Sequence, residues 1–253
     1  MIEFIKRFLM SPSLLKEREE FIEIQNKAIE NFSKRNQEQV DEIQALLVKI
    51  GKLDTKIVEL QPSELEIELN SKYPQKNVTY RRKEHDAWYE IDVRNYFQEF
   101  DSTIPTVKGT NCDNIALKAL IWVHDNIKYV KDNEEYGFSE FWAIPYQTLK
   151  HKRGDCEDGA ILLANILLRS GVPYYRIRLN VGKVSGGRHC YVTYCREFDN
   201  QFVVLDWCYF YKKDAVRLRP LHSEERAYYE VEFSWNQRYS FVNQELKGFE
   251  VNG

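Results

Sequence analysis

RGDCEDGAILLANILLRSGVPYYRIRL, residues 153–179, decides how the chain is read. Gly154 and Asp155 precede an unbroken apolar run from Ala160 to Leu168, and Gly171 and Pro173 close it. That is the punctuation of a helix: an Asp at the N-cap, a second acid (Asp158) placed for a capping box, and glycine and proline past the end. Cys156 falls in the first turn, where unsatisfied backbone N–H groups and the helix dipole favour a thiolate and can receive a developing oxyanion. The neighbouring acids Asp155, Glu157 and Asp158 act the other way by like charge, so the thiol requires a basic partner. A buried structural thiol is the simpler reading of one cysteine, but this one stands among acids, outside the apolar run.

Downstream, YYRIRLNVG (174–182) reads as a strand, and RHCYVTYC (188–195) and QFVVLDW (201–207) as two more, with a turn around Asp199 and Asn200. His189 opens the second strand and Asp206 ends the third. Strand parity puts His189, Tyr191 and Thr193 on one face and Cys190, Val192 and Tyr194 on the other, which makes Cys190 a poor nucleophile candidate. A thiol, an imidazole and a carboxylate, each at the edge of an element, are the parts of an activated nucleophile.

With WVHDNIKYV (122–130), QTLKHKRGDCEDGAILLANILLRSGVPYYRIRL, RHCYV and VVLDW on the page, the stretch from about Asn111 to Trp207 resembles the transglutaminase-like superfamily. The resemblance implies an α+β fold, a variant of the papain-like cysteine-protease core, with the nucleophile helix packed on an antiparallel sheet. It implies Cys156 as nucleophile, His189 as general base and acid, and Asp206 as the orienting carboxylate. An oxyanion-hole side chain is also implied, with Gln147 and Trp142 as candidates. Tyr191 stands where the family often carries Trp. The superfamily shares one acyl-transfer step and spans proteases, cross-linkers, deamidases and inactive scaffolds. The expectation is attack on a protein or peptide amide through a thioester, with water as the favoured acceptor. Transglutamination or deamidation is one alternative, and a non-catalytic binding or assembly module is the other.

The first sixty residues are different in kind. From about Leu14 to Leu60 the chain is rich in Glu, Lys, Gln and Ala. Ile43, Leu46, Ile50, Leu53, Ile57 and Leu60 step by three and four, a heptad seam. Continued backwards, the register takes in Ile22, Gln25, Ile29, Phe32, Asn36 and Gln39. The expectation is a helical N-terminal extension over residues 1–75, in part a coiled coil, followed by a catalytic domain over 76–253. Residues 22–60 would serve a homo-oligomer or a helical partner. Ser33 and Gly51 are places where a single rod could break, and Pro62 marks a stop.

Composition excludes several classes. A net charge of −3 carries no nucleic-acid footprint. No window reaches eighteen apolar residues, so no integral membrane span is expected, and MIEFIKRFLM is too short and charged for a signal peptide. Five cysteines without a CxxC pair suit free thiols in a reducing, cytoplasmic setting. The five histidines are scattered and no calcium-loop pattern occurs, so no cofactor or metal is expected. His85 in RRKEHD reads as a solvated residue, the segment 131–142 as the rim of a cleft, and Arg217, Arg219, His222 and Arg226 as a modest basic cluster.

Overall fold

The computed structural model describes residues 12–59, 63–71, 75–84 and 87–242, without the side chains of 12–15, 51–59, 83–84 and 87. His85, Pro62 and Leu60 lie outside the described residues, as does everything past Val242. The chain divides into two compact units, Met1–Pro62 and Ser63–Gly253.

In the first unit, α1 (Pro12–Glu59) is one continuous helix of 48 residues. Neither Ser33 nor Gly51 interrupts it; a helix interior tolerates one glycine at a cost of about 1 kcal/mol. Lys27 pairs with Glu23 at 2.7 Å and Gln37 with Asp41 at 2.9 Å, both at the four-residue spacing that brings side chains together on a helix. Among the described residues no helix is long and apolar enough to cross a membrane.

The second unit opens with α2 (Glu64–Ser71). This short helix was grouped by sequence with the extension, yet Leu69 and Asn70 are buried in the second unit. The Asn70 amide donates to Tyr174 Oη (3.3 Å) and accepts from Asn236 (3.0 Å). A hairpin follows, β1 (Thr79–Glu84) with β2 (Ala87–Asp92). Next come α3 (Cys112–Asn126), β3 (Lys128–Tyr129), α4 (Asp132–Glu135), α5 (Pro145–His151), β4 (Arg153–Gly154) and α6 (Cys156–Arg169). Five strands complete the unit: β5 (Ile177–Val184), β6 (Gly187–Cys195), β7 (Phe202–Leu205), β8 (Tyr228–Trp235) and β9 (Ser240–Val242).

These five form one antiparallel sheet in the order β7-β6-β5-β8-β9. Helix α6 packs on one face, its residues Gly159–Leu167 all buried, and the unit is α+β as the sequence reading expects. Parity separates the two faces of β6. Cys190, Val192 and Tyr194 join the main core with α6, whereas Tyr191 joins a smaller cluster with Val204 and Tyr228. The short parallel pair β3–β4 brings the end of α3 beside the residues that lead into α6.

Candidate active site

Cys156 is the first residue of α6, and Asp155 before it has the extended backbone of an N-cap (φ −99°). The expected capping box does not form: the Asp155 side chain makes no capping bond, and Asp158 instead accepts from the backbone N–H of Ala143 at 2.7 Å. Asp158 is fully buried, and an incoming loop supplies its donor. Three residues into the helix stands Gly159. A Cβ there would lie 2.1 Å from Trp207 Cε2, so the glycine is a notch for that indole. Trp207 Nε1 donates to the Cys156 carbonyl at 3.2 Å. The residue after Asp206 is thereby tied to the residue that carries the thiol.

His189 and Asp206 are both buried and face each other, with His189 Nε2 and Asp206 Oδ2 2.6 Å apart. Tyr228 Oη donates to the same carboxylate oxygen at 2.8 Å, and the other oxygen accepts from the backbone N–H groups of Cys208 (2.7 Å) and Tyr209 (3.2 Å). Four donors therefore fix this carboxylate. With Nε2 committed to Asp206, Nδ1 is the ring nitrogen left for chemistry. The imidazole stacks on Tyr191 (centroids 6.1 Å apart) and meets the exposed ring of Tyr209 at 4.5 Å. The Cys208 sulfur lies within 4.8 Å of both a His189 nitrogen and an Asp206 oxygen.

The thiol has a different set of neighbours. Cys156 Sγ lies 3.1 Å from Glu157 Oε2, and the backbone N–H of Cys190, one residue past His189, is turned toward it. Among the described residues no hydrogen bond joins the Cys156 thiol to the imidazole. Their surroundings explain this. Cys156 packs against the main core with α6 and turns its thiol to Glu157, while the His189 ring lies against Tyr191 and Tyr209. Burial pushes the Cys156 thiol well up, and the charge of Asp155 adds to the shift.

Around the start of α6 gathers a buried set of carboxylates. Asp132, Asp155 and Asp158 bring oxygens within 4.8 Å of one another, as do Asp132, Glu140 and Glu157. Burial raises all five, and repulsion from neighbouring carboxylates adds to it at Asp132, Glu140, Glu157 and Asp158; Asp132 is pushed up to about 7, and Glu157 and Asp158 lie well above the usual carboxylate range. An all-oxygen donor set of this kind matches the chemistry of a hard divalent cation.

Of the two candidate oxyanion donors, Trp142 is already committed and Gln147 uses its side-chain oxygen. Trp142 is buried in an aromatic stack with Tyr80 (4.6 Å) and Trp235 (5.6 Å), and its indole N–H donates to Glu140 at 2.8 Å. Gln147 accepts from the Ile144 backbone N–H at 3.1 Å, capping α5. The sequence reading gave no site role to Tyr228 or the buried Asp132, and named Glu157 only as an acid beside the thiol. Tyr228 opens a strand with no motif around it.

Residues 98–214 match the family described as a transglutaminase-like domain. No curated protein matches the chain. Among solved structures, the chain is similar to Legionella pneumophila LapG in an EGTA-treated form, at 18% identity over 56% of this chain and 73% of that one, with a TM-score of 0.45. The calcium-bound form of LapG gives 17% identity over 54% and 71%, with a TM-score of 0.41. The residues that match the transglutaminase-like family hold α6, the strand β6 that carries His189 and the strand β7 that ends just before Asp206, and over this part of its length the chain is similar to that family.

Proposed function

We propose that Cys156 is the nucleophile of an acyl transfer on a protein or peptide amide, with His189 as base and acid and Asp206 as its orienting carboxylate. The observation that carries the reading is the buried 2.6 Å pair of His189 and Asp206, next in sequence to the indole that holds the Cys156 carbonyl. In the proposed cycle the thiol leaves Glu157 and gives its proton to His189 Nδ1. The sulfur attacks the amide carbon, and the oxyanion that forms collapses to a thioester as the imidazolium protonates the departing amine. Water, deprotonated by the neutral imidazole, then attacks the thioester and releases the acid and the thiol. Water as acceptor gives hydrolysis, or deamidation when the amide is a glutamine side chain; a lysine amine gives a cross-link. Gln147 is the better-placed oxyanion donor candidate, since its amide N–H₂ remains after its oxygen caps α5, whereas Trp142 is committed to Glu140. Five free cysteines accord with a reducing, cytoplasmic setting.

A second reading is favoured by one observation: the thiol rests against Glu157 with its pKa pushed up, as in a binding module that keeps the fold without the chemistry. Alkylation kinetics of the wild type, C156A and C208A separate the two. One fast thiol at neutral pH, lost in C156A and kept in C208A, supports catalysis; uniform slow reaction of all five favours the module. Mass spectrometry of a peptide library with and without a primary amine then distinguishes cleavage, deamidation and amine incorporation by mass.

A further inference from the structure

The helix α1 presents an apolar seam that its own unit leaves uncovered. Written as heptads with Ile22 at position a, the a positions are Ile22, Ile29, Asn36, Ile43 and Ile50, and the d positions Gln25, Phe32, Gln39 and Leu46. All six apolar members are exposed, from 46% at Ile22 to 68% at Phe32. Val40 and Leu47, at e positions, widen the stripe and are 45% and 60% exposed. The polar contacts of the helix lie on the opposite side: Lys27 with Glu23, and Gln37 with Asp41, occupy f and b positions. A 48-residue helix with an apolar stripe, beside which apolar residues such as Ile24 and Val48 are scattered, has the form of a coiled-coil strand that lacks its partner.

We infer that the partner is a second copy of this chain, and that the two α1 helices pair parallel and in register, with Asn36 facing Asn36. The polar layers of the seam identify the occupant. Gln25, Asn36 and Gln39 would each be stranded against an unrelated apolar stripe, since an amide buried without a partner is unfavourable. Against an in-register copy, every polar layer meets itself and every apolar layer meets an apolar one. The Ile43, Leu46 and Ile50 layers put Ile at a and Leu at d, the pattern of two-stranded parallel coils, and a single Asn at a sets register and strand number.

The rival arrangement is antiparallel, with Asn36 set against Gln39. It would add an Arg35–Glu42 pair at the edge, but would place Gln25 against Ile50 at both ends. Exposed charge pairs are screened and weak, whereas two unpaired amides in a dry seam are costly, so the parallel form wins. In that form the flanking g and e positions meet as Arg35 with Val40 and Glu42 with Leu47, and no like charges oppose.

The test uses the full chain. Sedimentation equilibrium at micromolar concentration is expected to give twice the 30.2 kDa chain mass. The double substitution I43K/L46K places charges in the seam and is expected to halve that mass. The second unit stays folded, which its tryptophan fluorescence reports. Orientation is read from Q25C: oxidation is expected to give a 25–25′ disulfide, found by peptide mapping, because two in-register d positions are adjacent. In the antiparallel form the same sulfurs are about 38 Å apart. A monomeric wild type, a dimer that survives I43K/L46K, a trimer, or a dimer without the 25–25′ bond would each overturn the proposal.

Discussion

Asp206→Ala strands four donors at once, and this makes it the sharpest test of the site as described. His189 Nε2, Tyr228 Oη and the backbone N–H groups of Cys208 and Tyr209 all end on this one carboxylate, which is fully buried. Leaving a buried donor without a partner costs about 1–3 kcal/mol. Even at the low end the sum is about 4 kcal/mol, at the far tail for a single substitution. Asp206→Asn is different. Its remaining oxygen keeps both backbone N–H groups, and its amide faces Nε2, which can accept once the ring proton moves to Nδ1; a loss of about 1–2 kcal/mol is expected. Urea unfolding followed by tryptophan fluorescence measures both. All five tryptophans (Trp88, Trp122, Trp142, Trp207, Trp235) lie beyond residue 62, so the signal belongs to the unit that holds the site. If the alanine variant loses less than about 1 kcal/mol, or matches the asparagine variant, the four-donor carboxylate is not what holds this corner together.

Further outcomes follow from other contacts. Tyr228→Phe removes one donor from Asp206 and leaves His189 in place, for a loss of about 1 kcal/mol by thermal melting; under the proposed chemistry kcat also falls and the pH–rate profile moves, whereas a purely structural tyrosine would leave the profile unchanged. Gly159→Ala should destabilise by about 1–3 kcal/mol through overpacking against Trp207, although alanine alone would gain the helix about 1 kcal/mol; a stabilised variant would refute the notch. Asp132, raised to about 7, holds a proton in the folded chain that the unfolded chain gives up near pH 4. Stability is therefore lost as pH rises from about 4 through 7, by up to about 1.4 kcal/mol per unit, and Asp132→Asn should flatten a melting-temperature series over that window. The raised Cys156 thiol predicts alkylation at that residue that climbs with pH without a plateau near neutrality in the resting arrangement; a plateau below pH 7 would sink that account of its burial.

Much of this was legible in the chain because periodicity and punctuation carry it. The three- and four-residue steps that locate α1, the Asp155 and Gly171 that bracket α6, and the alternation in β5, β6 and β8 are local signals, and His189 and Asp206 declare themselves at strand ends. What stayed hidden depends on burial. Arg219 reads as part of a basic surface cluster, yet it is 2% exposed and gives its guanidinium to the carbonyls of Val204 on β7 and of Phe210 and Lys212 in the irregular stretch that follows. The segment expected as a cleft rim buries Asp132 and Trp142, because the backbone N–H of Phe141 and the stack on Tyr80 draw them inward. Tyr209 is exposed against the imidazole while Phe210 packs on Tyr228, a division that a run of three aromatics cannot announce.

The fit of Trp207 into the Gly159 notch has a consequence for how this sequence can drift. A side chain at 159 is compatible only with a smaller residue at 207, and a smaller residue at 207 opens a hole beside the Cys156 carbonyl that only bulk at 159 could fill. Neither position can change first without loss. Two residues forty-eight apart in the chain should therefore vary together or not at all, in any lineage that keeps the thiol where it is.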